Sequence, residues 1–199
     1  MNRQFVEAFM KALAINGSPK RQGNTRYLIE IVLNELQAEG IDTEVYQLGG
    51  KLVQGCTACM QCLQKKNRRC AIETDCINEI IEKALEADAI LIGSPTYFSM
   101  VTTETKALID RLGFVAKAND AMLTRKVGAG VVAVRRAGAI PTFDTINRLF
   151  FISGMIVPGS QYWNIGIGRM PGEVANDEEG VQIMKTLGQN IAWLMKKLG

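Results

Sequence analysis

The chain has 199 residues, 47% of them hydrophobic, with a formal net charge of +3 and no histidine. That length suits one α/β domain with a sizeable core, and the small charge excludes the concentrated basic face of a nucleic-acid binder. The missing imidazole removes His-ligated metals, Ser-His-Asp hydrolysis and Cys-His nucleophile pairs.

In chain order, Met1–Ile15 is interrupted by Arg3, Glu7 and Lys11, so it does not read as a secretory leader. No apolar run is long enough to span a bilayer. A cytoplasmic location without membrane association, with thiols kept reduced, is the expectation. Lys11–Gly17 reads as a short buried strand. A helix is predicted over Asn24–Ala38, with Tyr27, Leu28, Ile31, Val32 and Leu36 on one face and Gly40 as a stop. Thr43–Leu48 alternates as a strand does. Gly49–Cys76 shows no period and holds all five cysteines. Ile77–Ala87 reads as a helix, Ala89–Tyr97 as an apolar strand, Thr102–Lys117 as a helix and Lys126–Arg135 as another apolar strand. Phe143–Ser153 is predicted helical, Met155–Val157 a strand closed by Pro158-Gly159, and Glu178–Leu198 a final helix.

Strands that are apolar throughout are covered on both faces. The alternation therefore predicts an α/β fold, a doubly wound five-stranded parallel sheet with helices on both faces. One domain is expected over 1–199, with a cysteine-rich insertion at about 50–76. Such sheets bind ligands at the carboxyl ends of their strands, where strand order switches.

Three loops would meet there. Asn16–Thr25 combines hydroxyls, glycines and a helix N-terminus, a natural anion site. Ser18, Asn24 and Thr25 can donate to phosphate oxygens, and Lys20 and Arg21 add charge. No Lys-Ser/Thr pair follows Gly23, so this is not a P-loop. An ordinary helix cap at Asn24 or Thr25 is the alternative. Ser94–Met100 places Tyr97 and Phe98 at the rim, an edge suited to a planar ring or to packing under the next helix. Arg135-Arg136-Ala137-Gly138 brings two cations and small residues that let a ligand approach the backbone. Gly128–Ala133 matches G-x-G-x-x-A but lies inside a strand with no helix opening at it, where small residues packing in a central strand explain it better than a dinucleotide.

The sharpest motif is Cys56-x₂-Cys59-x₂-Cys62-x₇-Cys70. Serial CxxC steps are the spacing of [4Fe–4S] ligation, and with no second set present Cys70 is the natural fourth ligand. A Cys₄ zinc site, disulfides and metal-free thiols are the alternatives. Lys65, Lys66, Arg68 and Arg69 would stabilise an anionic cluster or attract an acidic partner, or form a solvated loop. Cys76 reads as a small buried residue rather than a ligand.

Gly17-Ser18-Pro19-Lys20, Gly23-Asn24-Thr25, Gly93–Phe98, Lys106–Arg111, Gly154–Ser160 and Asp177–Gly180 together resemble one branch of the flavodoxin-like superfamily, the NAD(P)H-dependent FMN reductases and iron–sulfur flavoproteins. The resemblance runs from about Ala12 to Leu198. It implies FMN, with Ser18, Lys20, Asn24 and Thr25 on the phosphate and Pro95, Thr96, Tyr97 and Phe98 beside the isoalloxazine. Arg136, Ala137 and Gly138 would form the third flavin loop, in place of the family's Gly-Gly-Gln type. It also implies a [4Fe–4S] cluster on Cys56, Cys59, Cys62 and Cys70, and a homodimer or homotetramer with flavin near the subunit contact. The activity implied is an FMN-dependent oxidoreductase in which the cofactor, and no catalytic side chain, carries the chemistry. Its donor would be NAD(P)H or ferredoxin, with a ferredoxin-like protein or a small molecule as partner. The alternatives are a cluster-free NAD(P)H-dependent FMN or quinone reductase, and a flavodoxin-like carrier. A carrier is usually acidic, whereas this chain has a pI near 8.6. A receiver domain would need carboxylates after the first strand, where Asn16-Gly17-Ser18 stands.

Overall fold

In a computed structural model, which describes residues 10–198, five strands form one parallel sheet in the order β2-β1-β3-β4-β5. They are β1 (Lys11–Asn16), β2 (Asp42–Gln47), β3 (Ala89–Pro95), β4 (Val127–Val134) and β5 (Ile165–Ile167). The helices are α1 (Asn24–Ala38), α2 (Gln61–Lys65), α3 (Ile77–Glu86), α4 (Thr103–Ala118), α5 (Ala139–Ile152) and α6 (Glu178–Leu198), with a 3₁₀ turn at Glu173–Asn176. The expectation that the start of the chain is not a secretory leader rests largely on residues 1–9, which lie outside the described residues. Among the described residues no helix is long and apolar enough to cross a membrane.

The pleat divides the core into two halves. Leu13, Ile15, Ile90, Ile92 and Val132 face α3, α4 and α5, while Ala12, Ala14, Leu91, Ala129 and Val131 face α1 and α6. Every residue of β4 is buried, as a strand covered on both faces must be. A Cβ on Gly128 would stand 2.7 Å from the Phe150 ring, and one on Gly130 would stand 3.2 Å from Ile146. The G-x-G pair therefore admits α5 close to the sheet, and no helix opens at it.

Besides the short helix α2, which lies inside the cysteine segment read as aperiodic, two elements differ from the sequence reading. Helix α5 begins at Ala139 rather than Phe143, because Pro141 sits in the first turn, where its missing N–H has no intrahelical partner to lose. The edge of the sheet is split. Ile156 makes an isolated parallel bridge to Val127, and the regular strand pairs Ile165–Ile167 with Val132–Val134. The Pro158–Asn164 loop between them lets the chain leave the sheet and return. With α5 it frames an apolar groove of about 730 Å³.

Candidate flavin and cysteine sites

The β1–α1 loop is held from three sides. Asn16 Oδ1 accepts from the Ser18 N–H at 3.1 Å, and Ser18 Oγ accepts from the Lys20 N–H at 3.2 Å. Gln47 Nε2 donates to the Ser18 and Gly49 carbonyls at 2.7 and 2.8 Å. Thr102, the N-cap of α4, donates its hydroxyl to the Gly17 carbonyl at 2.9 Å. Gly49 packs so tightly here that a Cβ would stand 2.3 Å from the Ser18 backbone. Among the described residues no side chain caps α1, and its first turn carries no acid. Its leading N–H groups and dipole therefore face outward unneutralised, as an anion site requires.

A pocket of about 130 Å³ opens beside that helix end, bordered by Ser18, Lys20, Asn24, Thr25, Pro95, Thr96 and Tyr97 together with Ala133–Arg135, Gly168, Arg169 and Pro171. Thr96 Oγ1 is buried without a hydrogen-bond partner among the described residues. An uncapped helix end, an unpartnered hydroxyl and three cations fit a phosphate-bearing cofactor such as FMN. Asn24 borders the pocket, but its amide is engaged elsewhere. It donates to the Gly168 carbonyl at 2.9 Å and accepts from the Gly172 N–H at 2.8 Å.

Tyr97 and Met100 close a tight turn, with N–H to O distances of 2.9 and 3.0 Å in the two directions. Phe98 and Ser99 at its tip both have positive φ, +50° and +61°, the pattern of a type I′ turn. Neither is the glycine or asparagine that tolerates it, so the turn carries strain. Phe98 is fully exposed, and so stands clear of the pocket wall that Tyr97 helps form. On the third loop, Arg135 is the residue that borders the pocket. Arg136 and Ala137 continue outward exposed, and Gly138 packs against Ser99, where a Cβ would stand 2.4 Å from Oγ.

The cysteine segment lies on the β2–β3 crossover. All five cysteines are free thiols. Cys56, Cys59, Cys62 and Cys70 border one cavity, together with Ile72, Arg111 and Phe114. The thiols surround it without converging: among the described residues no three His, Cys, Asp or Glu groups are placed to hold a metal ion. Ala58, Met60, Lys66 and Arg68 are left-handed, Met60 and Lys66 as the two caps of the short helix α2, so the chain changes direction repeatedly around that helix. The N–H of Gln61 lowers the Cys59 thiol pKa, while burial raises that of Cys62.

Arg111 organises this segment. It is 1% exposed. Its Nε donates to Cys70 Sγ at 3.2 Å, and its terminal nitrogens donate to the Gln54 and Ile72 carbonyls at 3.0 and 2.8 Å. It also pairs with Asp75 at 2.5 Å. Burial alone would raise the Asp75 pKa, but the Arg111 hydrogen bond and the Gln54 and Ile77 N–H groups hold it below the usual carboxylate range. Asn78 fixes the backbone of Cys70, accepting from its N–H at 2.8 Å and donating to its carbonyl at 3.0 Å. Four soft sulfur donors beside a buried cation fit an anionic iron–sulfur cluster. Sequence reasoning gave Arg111 no role, although one signal was available. It lies in phase with Leu108, Leu112 and Val115, a cation inside an apolar stripe. Arg169 and Asn78 carry no comparable signal.

Sheet order, uncapped helix end and rim loops define a flavodoxin-like flavoprotein. A profile of the NADPH-dependent FMN reductase family matches residues 10–169, and the chain belongs to that family. An iron–sulfur flavoprotein of Methanocaldococcus jannaschii is 37% identical over 94% of this chain and 98% of its own length. The iron–sulfur flavoprotein of Methanosarcina thermophila is 32% identical over 92% of this chain and 93% of its own. Among solved structures, RosB with bound 8-demethyl-8-formylriboflavin-5′-phosphate superimposes with a TM-score of 0.73 at 22% identity, covering 95% of this chain and 80% of that one. A flavodoxin from the domain Archaea gives 0.61 at 20%, covering 94% and 99%. At these identities the structures establish the fold.

Proposed function

We propose that this flavoprotein is an oxidoreductase that moves electrons between NAD(P)H or a ferredoxin and an acceptor, through FMN and a [4Fe–4S] cluster on Cys56, Cys59, Cys62 and Cys70. Bound FMN supplies exchange of one or two electrons, and a bound cluster supplies one-electron transfer. The residues bind and orient. Ser18, Lys20, Thr25 and the N-terminus of α1 hold the phosphate. The Thr96 hydroxyl gains the partner it lacks, and Tyr97 stands beside the ring. Arg111 sets positive charge against Cys70, which favours an anionic cluster and raises its potential. No side chain serves as an obligatory acid or base.

The observation that carries this reading is the single cavity bordered by all four motif cysteines and the buried Arg111. Lys65, Lys66 and Arg68 are exposed beside it and suit an acidic electron-transfer partner in the cytoplasm. Exposed Phe98, with Tyr97 and Met100, suits the subunit contact of a homodimer or homotetramer. Protein purified without oxygen is expected to contain one FMN and about four iron and four acid-labile sulfide per chain. FMN without either element would overturn the cluster. The spread of the thiols favours, as the second reading, a cluster-free NAD(P)H-dependent FMN or quinone reductase. Fast NAD(P)H oxidation by iron-free protein would select it.

A further inference from the structure

The chain after β5, Gly168–Gly172, lies as a strap against the start of α1 and contributes Gly168, Arg169 and Pro171 to the border of the pocket. Both ends are tied. The Gly168 N–H donates to the Val134 carbonyl at 2.9 Å. The side chain of Asn24 takes the Gly168 carbonyl with its amide nitrogen and the Gly172 N–H with its amide oxygen, at 2.9 and 2.8 Å. Glu173 accepts from the Arg169 and Met170 N–H groups at 2.8 and 2.9 Å. The approach is close enough to require glycine: a Cβ on Gly168 would stand 2.6 Å from the Val174 nitrogen and 2.8 Å from the Asn24 amide. Arg169, exposed on this strap, borders the same pocket as Ser18, Lys20 and Thr25.

We infer that Arg169 is a ligand of the flavin phosphate, and that Asn24 is a positioning residue which holds the Arg169 strap over the phosphate. The inference rests on the flavin reading of the pocket and divides the labour within it. A dianionic phosphate seated on an uncapped helix end needs cationic donors on its outer side. Lys20 supplies one from the β1–α1 loop, and Arg169 supplies a fork of N–H donors from the strap. Asn24 has committed its carbonyl oxygen and one amide hydrogen to the strap. It acts on the phosphate through the strap's position.

The test is equilibrium titration of full-length, flavin-depleted protein with FMN and with riboflavin, which lacks the phosphate, read by flavin fluorescence. Arg169→Ala is expected to weaken FMN roughly tenfold to a hundredfold, the range of hydrogen bonds to charged groups, and to leave riboflavin unchanged. Arg169 is exposed, so its removal does not threaten folding. Asn24→Ala is expected to weaken FMN similarly. The Asn24→Ala/Arg169→Ala double variant should be no weaker than the worse single variant, because the two act as one unit. Wild-type FMN affinity in Arg169→Ala would overturn the inference. So would additive losses in the double variant, which would make Asn24 a phosphate ligand in its own right. A wild-type protein that binds neither flavin would remove the flavin reading itself, and this inference with it.

Discussion

The pocket beside the start of α1 and the cysteine cavity are built in opposite ways. The pocket consists of main chain fixed by the fold. The carboxyl end of β1, the start of α1 and the N-cap of α4 converge wherever this sheet order is adopted, and side-chain amides lock the loop. The cavity consists of side-chain donors on a segment with several left-handed residues, fastened to the domain at Arg111 and Asn78. One site is a consequence of topology, and the other depends on a few buried polar contacts. Damage to either should therefore leave the other recognisable.

The largest expected effect comes from the fastening. Arg111→Ala strands the Asp75 carboxylate, 4% exposed, and should destabilise the protein by about 3–5 kcal/mol in denaturant unfolding. Arg111→Met combined with Asp75→Leu removes the stranded charge but leaves the Gln54 carbonyl and the Gln54 and Ile77 N–H groups without these partners, so it should recover only part of that loss. If the single variant is as stable as wild type, Arg111 is not the clasp.

Next is Gly49→Ala, which drives a methyl group into the Ser18 main chain. A loss of about 1–3 kcal/mol from overpacking is expected, with weakened FMN binding and unchanged iron content. Equal loss of both cofactors would show that the two sites are not separate.

Cys59→Ser should abolish iron binding, leave FMN bound, and shift stability by less than about 0.5 kcal/mol, since the residue is exposed. Loss of flavin in this variant would break the comparison from the other side.

The smallest effect is a pH dependence. The N–H groups of Met170 and Arg169 lower the Glu173 pKa. A depressed folded-state value means that the strap's tether is complete above the ordinary carboxylate range and is lost as pH falls through the lowered value. FMN affinity should therefore show an acid-side loss that Glu173→Gln flattens, with riboflavin titrated in parallel to separate protonation of the phosphate itself.

Much of this was legible beforehand, and the gaps have physical causes. Helix α1 has the predicted bounds, Asn24–Ala38, because an amphipathic period, a preceding glycine and a terminal Gly40 all agree. The central strands were visible as unbroken apolar runs. The fifth strand was misplaced because a three-residue edge strand has too few residues for a period, and Met155–Val157 carries the more apolar pattern while making only one bridge. The loop residues of the pocket could be named from their position after β1. Arg169 and Asn24's tether could not, because they join positions 144–148 residues apart through contacts that no local pattern encodes. The spacing marked the four cysteines as one set, but the residue that fastens their segment lies on a helix far along the chain and shows only as a charge out of place.

The split edge has a consequence for the protein's life at high concentration. A long, flat outer strand offers its unpaired amides and carbonyls to any passing chain and so seeds aggregation. Here that border is cut into a single bridge at Ile156 and three residues at Ile165–Ile167, separated by a loop that begins with Pro158. The opposite border, β2, is polar, and its Glu44 is paired with Lys83 at 2.7 Å. One border is too short to serve as a template and the other, six residues long, carries charge, so the detour that hid the last strand from view also guards that side of the sheet against growth.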